Sequence, residues 1–226
     1  MIGLAVLLAG TLSALAQGPR EQGAFRIRID TVEVARETFA FGPTRLSGGA
    51  AGWVIDATTN YDHARPTIVL SPMLEIGADS LPVTLQFTVA NPRDPVRVFG
   101  QLGRNRFSVR TVARGLERAR EFPLRAPAMV LDDSVVTLYQ IAAWFARPTP
   151  VVLTAVVARA GRRDTLTLVD SGSAAVTVDR RNVTLRHLVL TGGPNELVHL
   201  WLDDAGRLIR LTIPSRKLVA EREPTD

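Results

Sequence analysis

DDSVVTLYQIAAWFARP, residues 132–148, is the one stretch of this chain that reads as a helix, and it decides how the rest must be arranged. Asp132 or Asp133 serves as N-cap and Pro148 as stop, which predicts a helix over about 133–147. Thr137, Gln140 and Arg147 fall on one narrow stripe. Val135, Val136, Leu138, Tyr139, Ile141, Ala142, Trp144 and Phe145 cover the remaining circumference. A helix apolar over most of its surface must be buried on most sides. At a rise of about 1.5 Å per residue it is roughly 20 Å long, short of a bilayer. A curved sheet wrapped around it is the economical way to cover it.

The flanking sequence supplies such a sheet. Phe25, Ile27 and Ile29 alternate with Arg26, Arg28 and Asp30, and period-two runs recur at 53–56, 67–76, 83–89, 97–102, 107–112, 151–157, 165–169 and 174–178. Gly48-Gly49, Asn91-Pro92, Gly103, Gly161, Gly172 and Gly192-Gly193 punctuate them as turns. Short strands joined by Gly or Pro turns predict a mainly β fold, an antiparallel curved sheet or open β-barrel around one central α-helix. With no Gly/Ser linker and no internal repeat, residues 17–226 read as a single β-rich domain.

The segment HLWLDDAGRLIRLTIPSRKL, residues 199–218, predicts a hairpin turning at Asp203-Asp204-Ala205-Gly206. Pairing Leu202 with Arg207 puts Val198, Leu200, Leu202, Ile209 and Leu211 on a core face. Leu197, His199, Trp201, Leu208, Arg210 and Thr212 then fall on the other. An aromatic body beside a cation suits an amphiphile with an anionic head, so His199, Trp201 and Arg210 are candidate ligand-binding residues. Tyr139 and Trp144 join them from the helix if a ligand lies between helix and sheet.

The first sixteen residues, MIGLAVLLAGTLSALA, are an apolar run ending in Ala14-Leu15-Ala16, the pattern of a cleaved secretory signal peptide, without the usual leading Lys or Arg. The run is too short to span a bilayer and no later segment approaches that length, so no transmembrane anchor is expected. With no cysteine there is neither a disulfide framework nor a lipid-anchor site. A periplasmic or secreted protein follows. The net charge of +5 comes almost entirely from arginines scattered along strands without clustered aromatics, which argues for a solvated surface and against nucleic acid as a partner.

Catalytic motifs are absent. His63, His187 and His199 lack metal-ligand spacing, and there is no G-x-S-x-G, P-loop or G-x-G-x-x-G, so no cofactor or metal is expected. Asp203-Asp204 and Asp132-Asp133 are accounted for by turn and cap duty. A hydrolase built from dispersed residues would use His199 with Asp203.

Three segments carry a resemblance: GAFRIRIDTVEVARETFAF (23–41), the Asp-rich helix start, and LVHLWLDDAGRLIRLTIP (197–214) followed by KLVAERE. Together they resemble a family of bacterial envelope proteins of unknown function with G-x-F-x-[IV] near the mature N-terminus and a closing W-x-D-x-x-G-R-L-x-R hairpin. The match departs at Ala35, where glycine is expected. Such proteins are similar in outline to open β-barrels, wrapped on a helix, that carry lipoproteins or lipids across the periplasm. The resemblance implies non-catalytic binding of an apolar or amphiphilic ligand, a lipid first of all. The alternative is a structural or protein-interaction module of the envelope, with an envelope protein as partner.

Overall fold

The structure, a computed structural model, describes residues 20–62 and 64–224. The expected signal peptide, residues 1–16, and His63 lie outside them. Fifteen strands form one sheet. In chain order they are β1 Glu21–Ile29, β2 Val32–Arg45, β3 Ala51–Tyr61, β4 Ile68–Gly77, β5 Pro82–Ala90, β6 Val96–Gly103, β7 Arg106–Ala113 and β8 Leu116–Pro123. Then come β9 Ala128–Leu131, β10 Val151–Val157, β11 Arg162–Val178, β12 Arg181–Thr191, β13 Leu197–Leu202, β14 Leu208–Ile213 and β15 Leu218–Arg222. The spatial order runs from β8 down to β1, then β15 down to β9. Every pairing is antiparallel except that of β9 with β10. This is a curved, unclosed sheet, as the alternation predicts.

One face of the sheet and the segment between β9 and β10 form a single apolar core. Phe25, Ile55, Leu74, Leu85, Phe87 and Phe107 point inward against Leu138, Tyr139 and Ile141. Each fully buried side chain of this size is worth about 1.5–3 kcal/mol over exposure. Phe107 closes on Gly100 of the neighbouring strand, where a Cβ would stand 2.5 Å from the ring.

The central helix is shorter than its sequence predicts. A 3-10 segment, Thr137–Ile141, leads into one α-helical turn, α1, Ala142–Phe145. At the front, Asp132 and Asp133 do not cap it. Asp132 Oδ1 instead accepts from the Ser134 amide at 3.0 Å, forming a turn. The first helical donors are taken by Glu37, from β2 on the opposite wall. Its carboxylate accepts from the amides of Val136 at 2.8 Å and Thr137 at 2.7 Å, from Thr59 Oγ1 at 2.8 Å, and from Thr137 Oγ1. The β-branched run Val135, Val136, Thr137 also resists a regular α-helix. At the back, Ala146 is already extended, and Pro148 disfavours α geometry at Arg147. Gln140 ties the segment to the β13–β14 turn, donating to Gly206 O at 2.7 Å and accepting from the Leu208 amide at 2.5 Å.

The two edges of the sheet differ. In β9 all four residues are buried, which removes any alternation. Strand β8 is exposed along nearly its whole length and carries Glu117, Arg118, Arg120 and Glu121, charges that discourage pairing with another chain. The seam between this edge and the β10–β11 turn is bridged by side chains: Arg120 donates to Gly161 O at 2.7 Å and Arg163 to Pro123 O at 3.3 Å.

The closing hairpin forms with a different register. Trp201 faces Arg210, and a bulge then pairs Leu202 with Leu208. The bulge sends Leu208 into the core and leaves Ile209 half-exposed outside, exchanging the places expected for those two residues. Gly172 is likewise not a turn between strands. It marks a bulge within β11, between Asp170 and Ser173, with φ +77°.

Candidate functional site

Beyond that bulge, β11 and β12 continue as a two-stranded arm that outruns the sheet. Arg186 is the last residue of β12 paired with β13, so residues 173–185 have no strand beyond them on that side. The arm bends toward the outer face, where Arg210 Nη1 donates to the carbonyl of Thr177 near the tip. Its concave side presents Val183 and Leu185, both half-buried, while Asn182, Thr184 and Arg186 between them are exposed. Between the arm, the β13–β14 turn and the end of β15 lies an open groove of about 340 Å³. Val178, Val183, Leu185, Ile209 and Pro224 supply its apolar lining, and Arg181, Arg207 and Arg222 alternate there with Asp179, Asp203 and Glu223, Arg207 being paired with Asp203 and Arg222 with Glu21. A groove of this size is at the lower end of those that hold small molecules. Ile209 is in it because of the bulge that displaced it from the core.

Beside the groove, strands β12, β13 and β14 carry a row of rings and charges. His187 and Trp201 are cross-strand partners and stack at 4.9 Å with their planes 10° apart. His199, two residues before Trp201, brings its Nδ1 to 2.9 Å from His187 Nε2. Burial lowers the proton affinity of both imidazoles, and at His187 repulsion from His199 adds to it. Arg210 stands 5.7 Å from the Trp201 ring and pairs with Glu221 at 2.5 Å; Glu221 also pairs with Arg28 at 2.6 Å. The Nε of Arg210 is buried without a partner.

The structure therefore gathers Trp201, Arg210 and His199 on the outer face, but it separates them from Tyr139 and Trp144, which sit on the internal segment. Tyr139 is buried, its hydroxyl accepts from Asn195 Nδ2 at 3.1 Å, and burial pushes its ionisation well up. Trp144 is half-buried, stacked at 5.5 Å on Phe41 and 5.4 Å from Trp53. A cavity of about 10 Å³ touches Val135, Val136 and Tyr139, room for at most one water. The space expected for a ligand between helix and sheet is filled there by side chains.

A larger cleft of about 600 Å³ lies at the start of the segment, lined by Asp132, Asp133, Arg159, Arg162 and Asp164. Its charges are engaged with one another. Arg159 grips Asp132 with two bonds of 2.8 Å, and Arg162 meets Asp164 at 3.1 Å. Burial still raises the Asp132 carboxyl above its ordinary range, against the pull of Arg159. Mutual pairing of this kind is structural work at the mouth of the core.

The pair His199 and Asp203 is not arranged as a base and its orienting acid. Asp203 accepts from the amides of Ala205 and Arg207 and from Arg207 Nε at 2.7 Å, so its carboxylate is occupied by the turn. Among the described residues no three His, Cys, Asp or Glu side chains cluster to hold a metal, and no helix is long and apolar enough to cross a membrane.

Sequence reasoning missed His187, Val183 and Leu185. The twelve residues separating His187 from His199 span a loop whose length alone does not fix the register, so their meeting was not readable from spacing.

No protein-family model matches the chain, and no curated protein matches it in sequence. Among solved structures it is similar to the β-barrel-like protein of the domain of unknown function DUF1849 from Brucella abortus. The two share 12% identity at a TM-score of 0.56, over 91% of this chain and 95% of that one. At that identity the likeness shows the fold alone, a β-barrel-like sheet of unknown function, which agrees with the β-rich part of the expected family resemblance.

Proposed function

We propose that this protein is a non-catalytic binding module of the bacterial envelope, periplasmic or secreted, that holds an apolar or amphiphilic ligand, a lipid by preference. The ligand lies in the groove under the β11–β12 arm. The observation that carries this reading is the groove itself: an open, mainly apolar surface under a bent arm, with Arg181 at its edge to meet an anionic head. The helix–sheet interior offers about 10 Å³ at Tyr139, which moves the proposed site to the outer face. The apolar leader-like run supports export, and the lack of nucleophile motifs supports binding without turnover.

A second reading, an envelope interaction module, is favoured by the groove's openness on the outer surface, which a segment of a partner protein could reach. Native mass spectrometry of gently purified protein, followed by solvent extraction, separates the two. A co-purifying amphiphile that Val183→Asp abolishes supports lipid binding. Repeated recovery of a bare chain that also takes up neither fluorescent fatty acids nor phospholipids contradicts it and leaves the interaction module.

A further inference from the structure

We propose that His187 and His199 form a binding site for a divalent late transition-metal ion of the zinc and copper class, on the outer face at the root of the arm. Two of the three histidines in the chain converge there from adjacent strands, with Nε2 of His187 and Nδ1 of His199 2.9 Å apart and both rings half-exposed. Two imidazole nitrogens, each about 2.0 Å from a tetrahedral ion, stand roughly 3.3 Å apart. The rings therefore have to part by a few tenths of an ångström and swing within their own planes, so that lone pairs now directed at each other converge on the ion. Trp201 fixes both planes by stacking, at 4.9 Å on His187 and 5.6 Å on His199, so little rotamer freedom remains to be lost on binding.

The exchange balances without a redox step or a co-reactant. In the ion-free protein one imidazole N–H donates to the other's lone pair across the 2.9 Å contact. Binding breaks that hydrogen bond, and the donating ring moves its proton to its other nitrogen. Two neutral nitrogens then present lone pairs to the ion, and the net proton count is unchanged. Among the described residues no carboxylate or cysteine completes a three-ligand cluster with them, so two coordination positions face water. Such a site binds more weakly than a structural zinc centre and can exchange its waters for an anionic group. Because His187 belongs to the arm strand and His199 to the sheet, the ion would pin the arm's root.

The inference does not depend on what occupies the groove. It is tested on the full chain, without a polyhistidine tag, by titration with Zn²⁺ in calorimetry and with Cu²⁺ in tryptophan fluorescence. One equivalent of either ion is expected, with quenching of Trp201 fluorescence that Trp201→Phe removes. His187→Ala and His199→Ala should each weaken Zn²⁺ at least tenfold, His63→Ala should not, and saturating Zn²⁺ should raise the melting temperature of the parent but not of the double variant. If a folded double variant, verified by circular dichroism, binds Zn²⁺ as the parent does, or if the parent takes up none at millimolar concentration, the site does not exist.

Discussion

Replacing Glu37 by leucine tests how the internal segment is held. The carboxylate is fully buried and accepts from two backbone amides, those of Val136 and Thr137, which have no intrahelical partner at the start of a helix. Leucine fills a similar volume but accepts nothing. Each buried amide left unpaired costs about 1–3 kcal/mol, or about 2–6 kcal/mol for two. Relief from burying a carboxyl group offsets part of this, so a net loss of about 3–4 kcal/mol is expected. Glu37→Gln keeps one acceptor oxygen and turns the other into the NH2 of a carboxamide, a donor, orphaning one amide, and should cost about half as much.

Urea denaturation followed by tryptophan fluorescence measures both, with exposed Glu33→Gln as a control expected within about 0.5 kcal/mol. A Glu37→Leu midpoint equal to that of the parent would refute the view that this side chain anchors the segment. The pH dependence adds an independent reading. Burial raises the Glu37 pKa despite the four bonds it accepts. The native state therefore keeps a proton that the unfolded chain has released, and this contribution to stability is full below the ordinary carboxylate pKa. It is lost as the pH rises through the higher native value. The stability advantage of the parent over Glu37→Gln should accordingly shrink as the pH rises above the ordinary carboxylate range, with Asp132 shifting both proteins alike.

Three further outcomes are expected. Arg210→Ala removes the bond to Thr177 and should make Arg180 and Arg181 at the arm's tip several-fold more sensitive to trypsin, a larger effect than Glu221→Gln, which breaks only ion pairs. Gly100→Val forces a side chain into the space of the Phe107 ring and should cost about 1–3 kcal/mol by denaturation, because a Cβ there would stand 2.5 Å from the ring. Trp144→Ala should cost less than the about 3–5 kcal/mol of a fully enclosed tryptophan, since half-burial against Phe41 and Trp53 leaves less contact to lose.

The strands that alternate were legible because each has one wet face and one dry one, as with Phe25, Ile27 and Ile29 in β1. Strands β2 and β12 alternate in burial yet were passed over, and two others that escaped lack that asymmetry. Ala128–Leu131 is buried throughout, and Leu116–Pro123 is exposed nearly throughout, so neither carries a period of two. The apolar circumference of 135–145 correctly implied burial, but its length and cap depended on Glu37, about a hundred residues away in sequence. In the site, Trp201 and Arg210 were readable as an unusual outer face. The placement of Ile209 hung on a one-residue bulge, and the groove on the bend at Gly172, and neither is encoded in a hydrophobic pattern.

The groove is tested most directly by photocrosslinking. The full chain is illuminated with a diazirine-bearing fatty acid and the adducts are mapped by peptide mass spectrometry. Adducts on Val178–Leu185 and at Ile209, competed away by unlabelled fatty acid, are the expected result. Competable adducts on Leu138–Phe145, or none on the arm above the level seen with a Val183→Asp, Ile209→Asp double variant, would contradict the assignment of ligand binding to the outer groove.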